Sequence, residues 1–329
     1  PLVRPIFLLT REAPQGAVRG PMAELEGWVY FAAQFASERQ EAEAAYPGAH
    51  VLGCEMSTGR LRDLGLLRAG HTISGGVACD APRRRLYVLT TPLIAERAAR
   101  GDSVLIHRIE LPSGRRETAA EIRTGSAHES AGLFVDRRGD AWFTLSGKPG
   151  TLYRLRALPG APLEEWPGVL PPRYALRAER VLPDAEQADR AWTWVGGLPD
   201  GDRAVFTASE DGMLWLFDAS RAAANPRAAF TPLRHIGPTG PGIAIGGERL
   251  YYVQRALRRE GTRAPRWSPD LHLLSVCLRP GGEAAISDHG LLVDGEGRRP
   301  WRIESLAADA SGRVYLCGDW HLRKGETAV

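Results

Sequence analysis

The chain has 329 residues, with 42 basic side chains set against 39 acidic ones and a net charge of +3. Hydrophobic residues make up 43%, and 37 glycines and 24 prolines give a surplus of turn formers. These numbers exclude a disordered chain, a collagen-like repeat and a small disulfide scaffold. Forty of the bases are arginine and only Lys148 and Lys324 are lysine. Arginine forks carboxylates, so the excess is compatible with anion recognition, but a bias toward GC-rich codons is the simpler reading. No stretch carries five or six bases in a row, and Arg83-Arg84-Arg85 lies in an expected hairpin turn. Nucleic acid is therefore not expected as a partner.

No run of 18 apolar residues occurs, so no membrane span is expected. The start Pro1-Leu2-Val3-Arg4 has no signal-peptide profile, and a periplasmic or secreted location is the expectation. Cys54, Cys79, Cys277 and Cys317 form no CxxC pair, so buried thiols, or one disulfide in an oxidising compartment, are expected in place of a zinc site.

In chain order, a short grammar recurs. It runs through Met22–Ala33 (MAELEGWVYFAA), Gly75–Thr90 (GGVACDAPRRRLYVLT), Ala131–Ser146 (AGLFVDRRGDAWFTLS), Val195–Ser209 (VGGLPDGDRAVFTAS), Pro241–Gln254 (PGIAIGGERLYYVQ) and Glu304–Gly318 (ESLAADASGRVYLCG). An apolar strand a leads to a turn, usually with Asp and Gly or Arg, and then to an alternating strand b carrying an aromatic. Those aromatics are Tyr30, Tyr87, Trp142, Phe206, Tyr251 with Tyr252, and Tyr315. A second hairpin, strands c and d, follows most copies, as in His50–Gly65 and Ser103–Ile122. The turns fall near Glu24, Asp80, Asp136, Asp200, Gly246 and Asp309, at separations of 56, 56, 64, 46 and 63 residues.

Four-stranded units at such spacing predict an all-β chain, a β-propeller forming one domain over residues 1–329. Six blades are expected, with Pro5–Thr10 as a strand that completes the C-terminal blade and so closes the ring. Seven would follow if a hairpin in the Asp288–Arg302 region formed its own sheet. A helix is expected over Ala36–Ala45.

In this architecture the d-to-a and b-to-c connections gather at one mouth. They bring His71, His128 and His321 there as candidate catalytic bases. Lys148, Trp192, Trp194, Arg255, Arg302 and Trp320 are candidate ligand-binding groups, and Arg258 and Arg323 are further rim cations. Glu129 and Glu304, with Glu24, are candidate ligands for a divalent metal such as Ca, Zn or Mn. His50, His107, His272, His235 and His289 fall in or near strands c and d and read as structural, and Trp142 and Trp215 read as core.

The windows Gly132–Thr144 (GLFVDRRGDAWFT) and Ser305–Gly318 resemble blades of the NHL-like and gluconolactonase-like propeller superfamily. Asp140-Ala141-Trp142-Phe143-Thr144 is similar to the G-x-x-W-F-T blade phrase of the virginiamycin B lyases. The resemblance implies the propeller fold. The superfamily's members include lyases, lactonases, oxidoreductases and binding scaffolds, and no catalytic residue carries over.

The expected function is an enzyme acting on a carbohydrate-like or anionic polar substrate at the mouth, by β-elimination as in a polysaccharide lyase. The alternatives are a non-catalytic propeller that binds a small molecule, glycan or protein, and a metal-dependent lactonase-type hydrolase.

Overall fold

A computed structural model describes residues 17–18, 22–34, 48–93, 103–123, 130–145, 148, 150–171, 174–177, 180–183, 193–207, 212–236, 243–258, 266–278, 285–295, 297–309 and 311–320. The expected N-terminal strand Pro5–Thr10 and helix Ala36–Ala45 lie outside these residues. No helix of the described residues is long and apolar enough to cross a membrane. The chain divides into two compact units, one made of Pro1–Pro172, Ala185–Trp194 and Ala219–Ala229, the other of Arg173–Asp184, Val195–Asp218 and Phe230–Val329.

The first unit holds three antiparallel sheets. The first is ordered β1-β3-β4-β5, with β2 also on β3, from β1 (Ala17–Val18), β2 (Ala23–Leu25), β3 (Trp28–Gln34), β4 (Gly48–Glu55) and β5 (Leu61–Ala69). The second runs β6 (His71–Asp80), β7 (Arg85–Pro92), β8 (Ser103–Glu110) and β9 (Arg116–Arg123). The third runs β10 (Ser130–Val135), β11 (Ala141–Leu145), β12 (Leu152–Leu155) and β13 (Leu163–Trp166). A short helix, α1 (Ala219–Ala222), also belongs to this unit.

The second unit opens with a hairpin, β14 (Tyr174–Arg177) and β15 (Arg180–Pro183). This hairpin occupies the long interval between the turns at Asp136 and Asp200. A sheet of β16 (Thr193–Gly197), β17 (Arg203–Thr207), β18 (Met213–Asp218) and β19 (Phe230–His235) follows, its first two residues grouping with the other unit. The next sheet is β20 (Ile243–Gly246), β21 (Arg249–Arg258), β22 (Arg266–Cys277) and β23 (Ile286–Leu291). Last come β24 (Pro300–Ala308) and β25 (Val314–Trp320), paired with each other. The described residues of the Asp288–Arg302 region form no sheet of their own, because β23 closes the preceding sheet and β24 opens the last one.

Alternation along the b strands assigns side chains to two interfaces at once. In β7, Leu86 and Val88 join a core shared with the first sheet, through Ala23, Tyr30 and Val51. Tyr87 and Leu89 join a core shared with the third sheet, through Leu133, Phe143 and Tyr153. In β21, Leu250 and Tyr252 pack with Val205 and Leu214, while Tyr251 and Val253 pack with Ile303 and Leu306. Period two is the strand's own geometry, so one strand with apolar residues on both faces glues two neighbours.

The a-to-b turns become joints between sheets. Asp136 Oδ1 accepts the backbone N–H groups of Arg138 (2.9 Å) and Asp140 (3.0 Å), and the N–H of Gly139 donates to the Asp136 carbonyl (2.8 Å). Asp309 makes the same set with Ser311, Arg313 and Gly312. Asp294 repeats the Arg298 and Gly297 bonds in the segment before β24. This D-x-x-G turn needs a left-handed residue before its last position, which Gly139 (φ +84) and Gly312 (φ +83) supply. The turn at Gly139 is seated against the second sheet. Tyr87 Oη donates to the Gly139 carbonyl (3.1 Å), and a Cβ on Gly139 would stand 2.3 Å from Asp80 Oδ2 and 2.4 Å from Arg83 Nη1.

Gly139→Ala is therefore expected to cost about 2–4 kcal/mol, from the left-handed strain and the overpacked joint together. Gly59→Ala, at φ +72 but with nothing within 4 Å, serves as the control and carries the strain alone. Denaturant unfolding of the two variants separates the contributions. Equal losses would show that the Asp80–Gly139 approach is not a close joint.

Candidate functional site

His71 is the first residue of β6, opposite Pro92 at the end of β7. Its ring lies inside the protein, 3% exposed. Thr90 Oγ1 stands 3.3 Å from His71 Nδ1 and 2.9 Å from His107 Nε2. A threonine hydroxyl has one proton to donate, so it serves one ring nitrogen and accepts from the other ring's N–H. Burial is the main reason the His107 pKa falls to about 4, and the neighbouring His71, Arg68 and Arg116 push it the same way. His107 is thus a neutral imidazole at physiological pH. His71, Thr90 and His107 come from three successive strands and form one buried chain. No periodicity reveals it, because the link requires the lateral register of β6, β7 and β8.

The other expected mouth residues are distributed as follows. Lys148 sits half-buried in the turn after β11, where its N–H donates to the Leu145 carbonyl (3.2 Å). Trp194 is the second residue of β16. Arg255 stands opposite Leu271 in the β21–β22 ladder. Arg302 stands opposite Asp319, and Trp320 opposite Pro300, at one end of the β24–β25 ladder. The register on β24 slips between Pro300 and Arg302 and between Ile303 and Ser305, which makes Trp301 and Glu304 the extra residues of two bulges. His128, Glu129, Trp192 and His321 lie outside the described residues, as does Arg323. Among the described residues no group of three His, Cys, Asp or Glu side chains gathers to hold a metal ion.

Within the second unit, backbone register relates three of these positions. Leu271, the register partner of Arg255, and Ile303, the neighbour of Arg302, belong to the same buried cluster. Arg255, Arg302 and Trp320 therefore stand at one end of two adjoining sheets.

The strongest polar network lies elsewhere. Across the third sheet, Trp142, Arg154 and Glu164 stand side by side on β11, β12 and β13. The Arg154 guanidinium lies 5.1 Å from the Trp142 ring, donates to Asp140 Oδ2 (2.9 Å from Nε) and pairs with Glu164 (3.3 Å). Trp142 Nε1–H donates to Asp136 Oδ2 (3.0 Å), and Trp166 stacks on Trp142 at 5.7 Å. Tyr87, Arg108 and Glu117 repeat the arrangement on β7, β8 and β9, with Arg108 5.6 Å from the Tyr87 ring and 2.8 Å from Glu117. Both arginines are buried. Each has an aromatic face on one side and a carboxylate on the other, which balances the desolvated charge. These ladders hold sheets together. The aromatic of strand b marks them in sequence, but the Arg and Glu partners are seen only in register.

Three of the remaining histidines are engaged as well. His50 Nδ1 lies 2.9 Å from Asp63, and His272 Nδ1 lies 3.0 Å from Asp288, each pair linking strand c to strand d. His289 Nε2 lies 2.9 Å from Ser275 Oγ. Trp142 and Trp215 are core residues, as expected. Cys54, Cys79 and Cys277 are free thiols.

No family model matches the chain, and no curated protein matches it in sequence. Among solved structures, the β-propeller domain of Cps50 (Swd1) from Myceliophteria thermophila is similar at TM-score 0.50 and 15% identity, over 94% of this chain and 81% of that one. TolB from Acinetobacter baumannii is 13% identical at TM-score 0.42, over 78% of this chain and 52% of that one, so the chain spans about half of TolB. A 6-phosphogluconolactonase-type protein from Bacteroides uniformis is 12% identical at TM-score 0.43, over 82% of this chain and 73% of that one. The likeness to the Cps50 domain, with the stacked antiparallel sheets, establishes the fold: the chain is a β-propeller.

The buried histidine chain has a pH signature. His107 titrates near 4 when folded and near its ordinary 6.5 when unfolded, so between those values the unfolded chain binds more protons. Its contribution to stability is full above about pH 6.5 and is lost as pH falls toward 4, on the order of 3 kcal/mol in all. Unfolding free energies at pH 7 and pH 4.5 for the native chain and for His107→Gln test this. The variant's pH dependence is expected to be shallower across that window, and identical slopes would refute it.

Proposed function

We propose that this propeller binds an anionic, carbohydrate-like ligand, with Arg255 and Arg302 as its oxyanion-binding cations and Trp320 as a stacking face. The observation that supports the reading is the position of these three residues at one end of two adjoining sheets, whose shared buried cluster includes Leu271 and Ile303. Guanidinium forks match carboxylates in a planar, bidentate manner, and an indole suits the apolar face of a sugar ring. The two bulges on β24 re-aim the backbone beside Arg302, a device common next to binding sites.

Binding is favoured over β-elimination by the state of His71. A general base needs access to a substrate proton, whereas His71 is buried with Nδ1 facing Thr90. The mouth is therefore read as a recognition surface on a rigid scaffold.

Calorimetric titration with galacturonate and related uronates tests the proposal. Arg302→Gln and Arg255→Gln are each expected to weaken binding about tenfold or more, the worth of a hydrogen-bonded charge. His71→Asn is expected to leave affinity within about twofold of the native chain. Uronates that fail to bind, or arginine variants that bind as the native chain does, would overturn the reading. Formation of an unsaturated uronate product that His71→Asn abolishes would replace it with the elimination reading.

A further inference from the structure

Arg85 opens β7, Arg203 opens β17 and Arg249 opens β21. The first two are neutralised by carboxylates of their own sheets. Arg85 lies 3.8 Å from Glu110, and Arg203 Nε donates to Asp200 Oδ2 in the turn before it. Arg249 stands opposite Gly246 on β20 and Cys277 on β22. No acidic side chain fits at Gly246, since a Cβ there would stand 2.7 Å from both Ala308 Cβ and the Asp309 carbonyl oxygen. Among the described residues no carboxylate forms an ion pair with Arg249, whose side chain is exposed.

Arg249 is instead anchored on a hydroxyl. Its Nη1 donates to Ser275 Oγ (3.1 Å), and Ser275 is 0% exposed. Ser275 Oγ also stands 2.9 Å from His289 Nε2. A buried hydroxyl proton needs an acceptor, and a guanidinium offers none, so the proton goes to His289 Nε2. The neutral His289 ring then carries its own proton on Nδ1. That ring is exposed and flanked by Tyr251, with ring centroids 6.2 Å apart. The nearby carboxylate of Asp288 is held by His272 Nδ1 (3.0 Å) and the Gly290 N–H (2.8 Å).

One buried serine thus orients two exposed nitrogen donors on one face of the sheet. The nitrogens it holds are within about 6 Å of each other. One guanidinium N–H is used on Ser275, which leaves the others for a ligand.

We propose that Arg249 and His289 form a binding site for a tetrahedral oxyanion of the phosphate type, with Ser275 as the group that positions both. A tetrahedral anion directs its oxygens several ways at once, so it accepts from the guanidinium and from Nδ1–H together. A planar carboxylate fits the guanidinium fork alone. The site is separate from the mouth, because Arg255 lies about 20 Å further along β21 at ~3.3 Å per residue.

Inorganic phosphate is titrated into the full chain at neutral pH and followed by the His289 imidazole resonance, assigned with His289→Gln. A saturable shift is expected. Arg249→Gln is expected to weaken phosphate binding about tenfold or more, the worth of a hydrogen-bonded charge. Ser275→Ala keeps both donors but releases them, and a loss of about threefold or more is expected. Arg249→Lys, which keeps the charge without the planar fork, is expected to show a similar loss and replaces that variant if Ser275→Ala does not fold. Arg115→Gln removes the same charge from a 75% exposed side chain of the other unit, and is expected to leave the affinity within about twofold. Acetate is expected to bind more weakly than phosphate.

A His289 resonance that phosphate does not move would overturn the site. So would an affinity unchanged by Arg249→Gln, or a loss in Arg115→Gln equal to it, which would mark general charge attraction. Equal affinities for acetate and phosphate would overturn the assignment to a tetrahedral anion.

Discussion

A four-stranded sheet has two faces, and in water neither can be left bare; the architecture follows from the way strand b resolves this. Leu86 and Val88 turn one way and Tyr87 and Leu89 the other, so a single strand contributes to two hydrophobic clusters. Each buried side chain of this size contributes about 1.5–3 kcal/mol. A strand shared between two interfaces is therefore the least replaceable part of a unit. Tyr87 adds direction to this non-specific force. Its hydroxyl reaches the carbonyl of Gly139 in the next sheet, which fixes where the D-x-x-G turn must sit. A tyrosine likewise approaches the turn glycine in the second unit, where a Cβ on Gly312 would lie 3.1 Å from Tyr251 Oη.

The arginine excess has a physical role in this scheme that composition alone does not suggest. Arg85 and Arg108 each donate across to backbone carbonyls of the third sheet, Ala157 at 3.2 Å and Arg156 at 3.3 Å. Arg62 donates to the Pro112 carbonyl, and Arg116 to the Leu66 carbonyl, linking the first two sheets in both directions. Arg138 bridges Asp136 and the Ala219 carbonyl. A guanidinium has five donors in a fixed plane, so it can hold a carboxylate on its own sheet and a carbonyl on the next. An ammonium on a flexible stem holds such a geometry less well. Whatever set the codon usage, arginine is the residue that this mode of sheet stacking exploits.

What the sequence made legible was whatever depends on neighbours along the chain. The alternation in RLYVLTTP and AWFTL, the Asp-to-Gly turns and the strand-b aromatics are all local, and the sheets built from them are present. The β14–β15 hairpin was not legible, because YALR and RVLP are too short to show a period. The histidines show the deeper limit. His71 reads as a mouth residue because it begins a strand, and it does begin β6. The buried chain it makes with Thr90 and His107, however, exists only through the pairing of three strands. Chemistry is a property of side chains that meet across strands, and one-dimensional spacing does not encode that meeting.

The same distinction sorts the arginines by what stands opposite them in the ladder. Arg108 and Arg154 stand opposite carboxylates and beside aromatic rings, so the protein itself neutralises them. Arg302 has Asp319 as its register partner and stands beside a bulge, an intermediate case. Arg258 has another arginine in that place. A ladder position opposite a like charge costs stability wherever it occurs. Register alone places Arg154 opposite a carboxylate inside its sheet, where the guanidinium meets both Asp140 and Glu164.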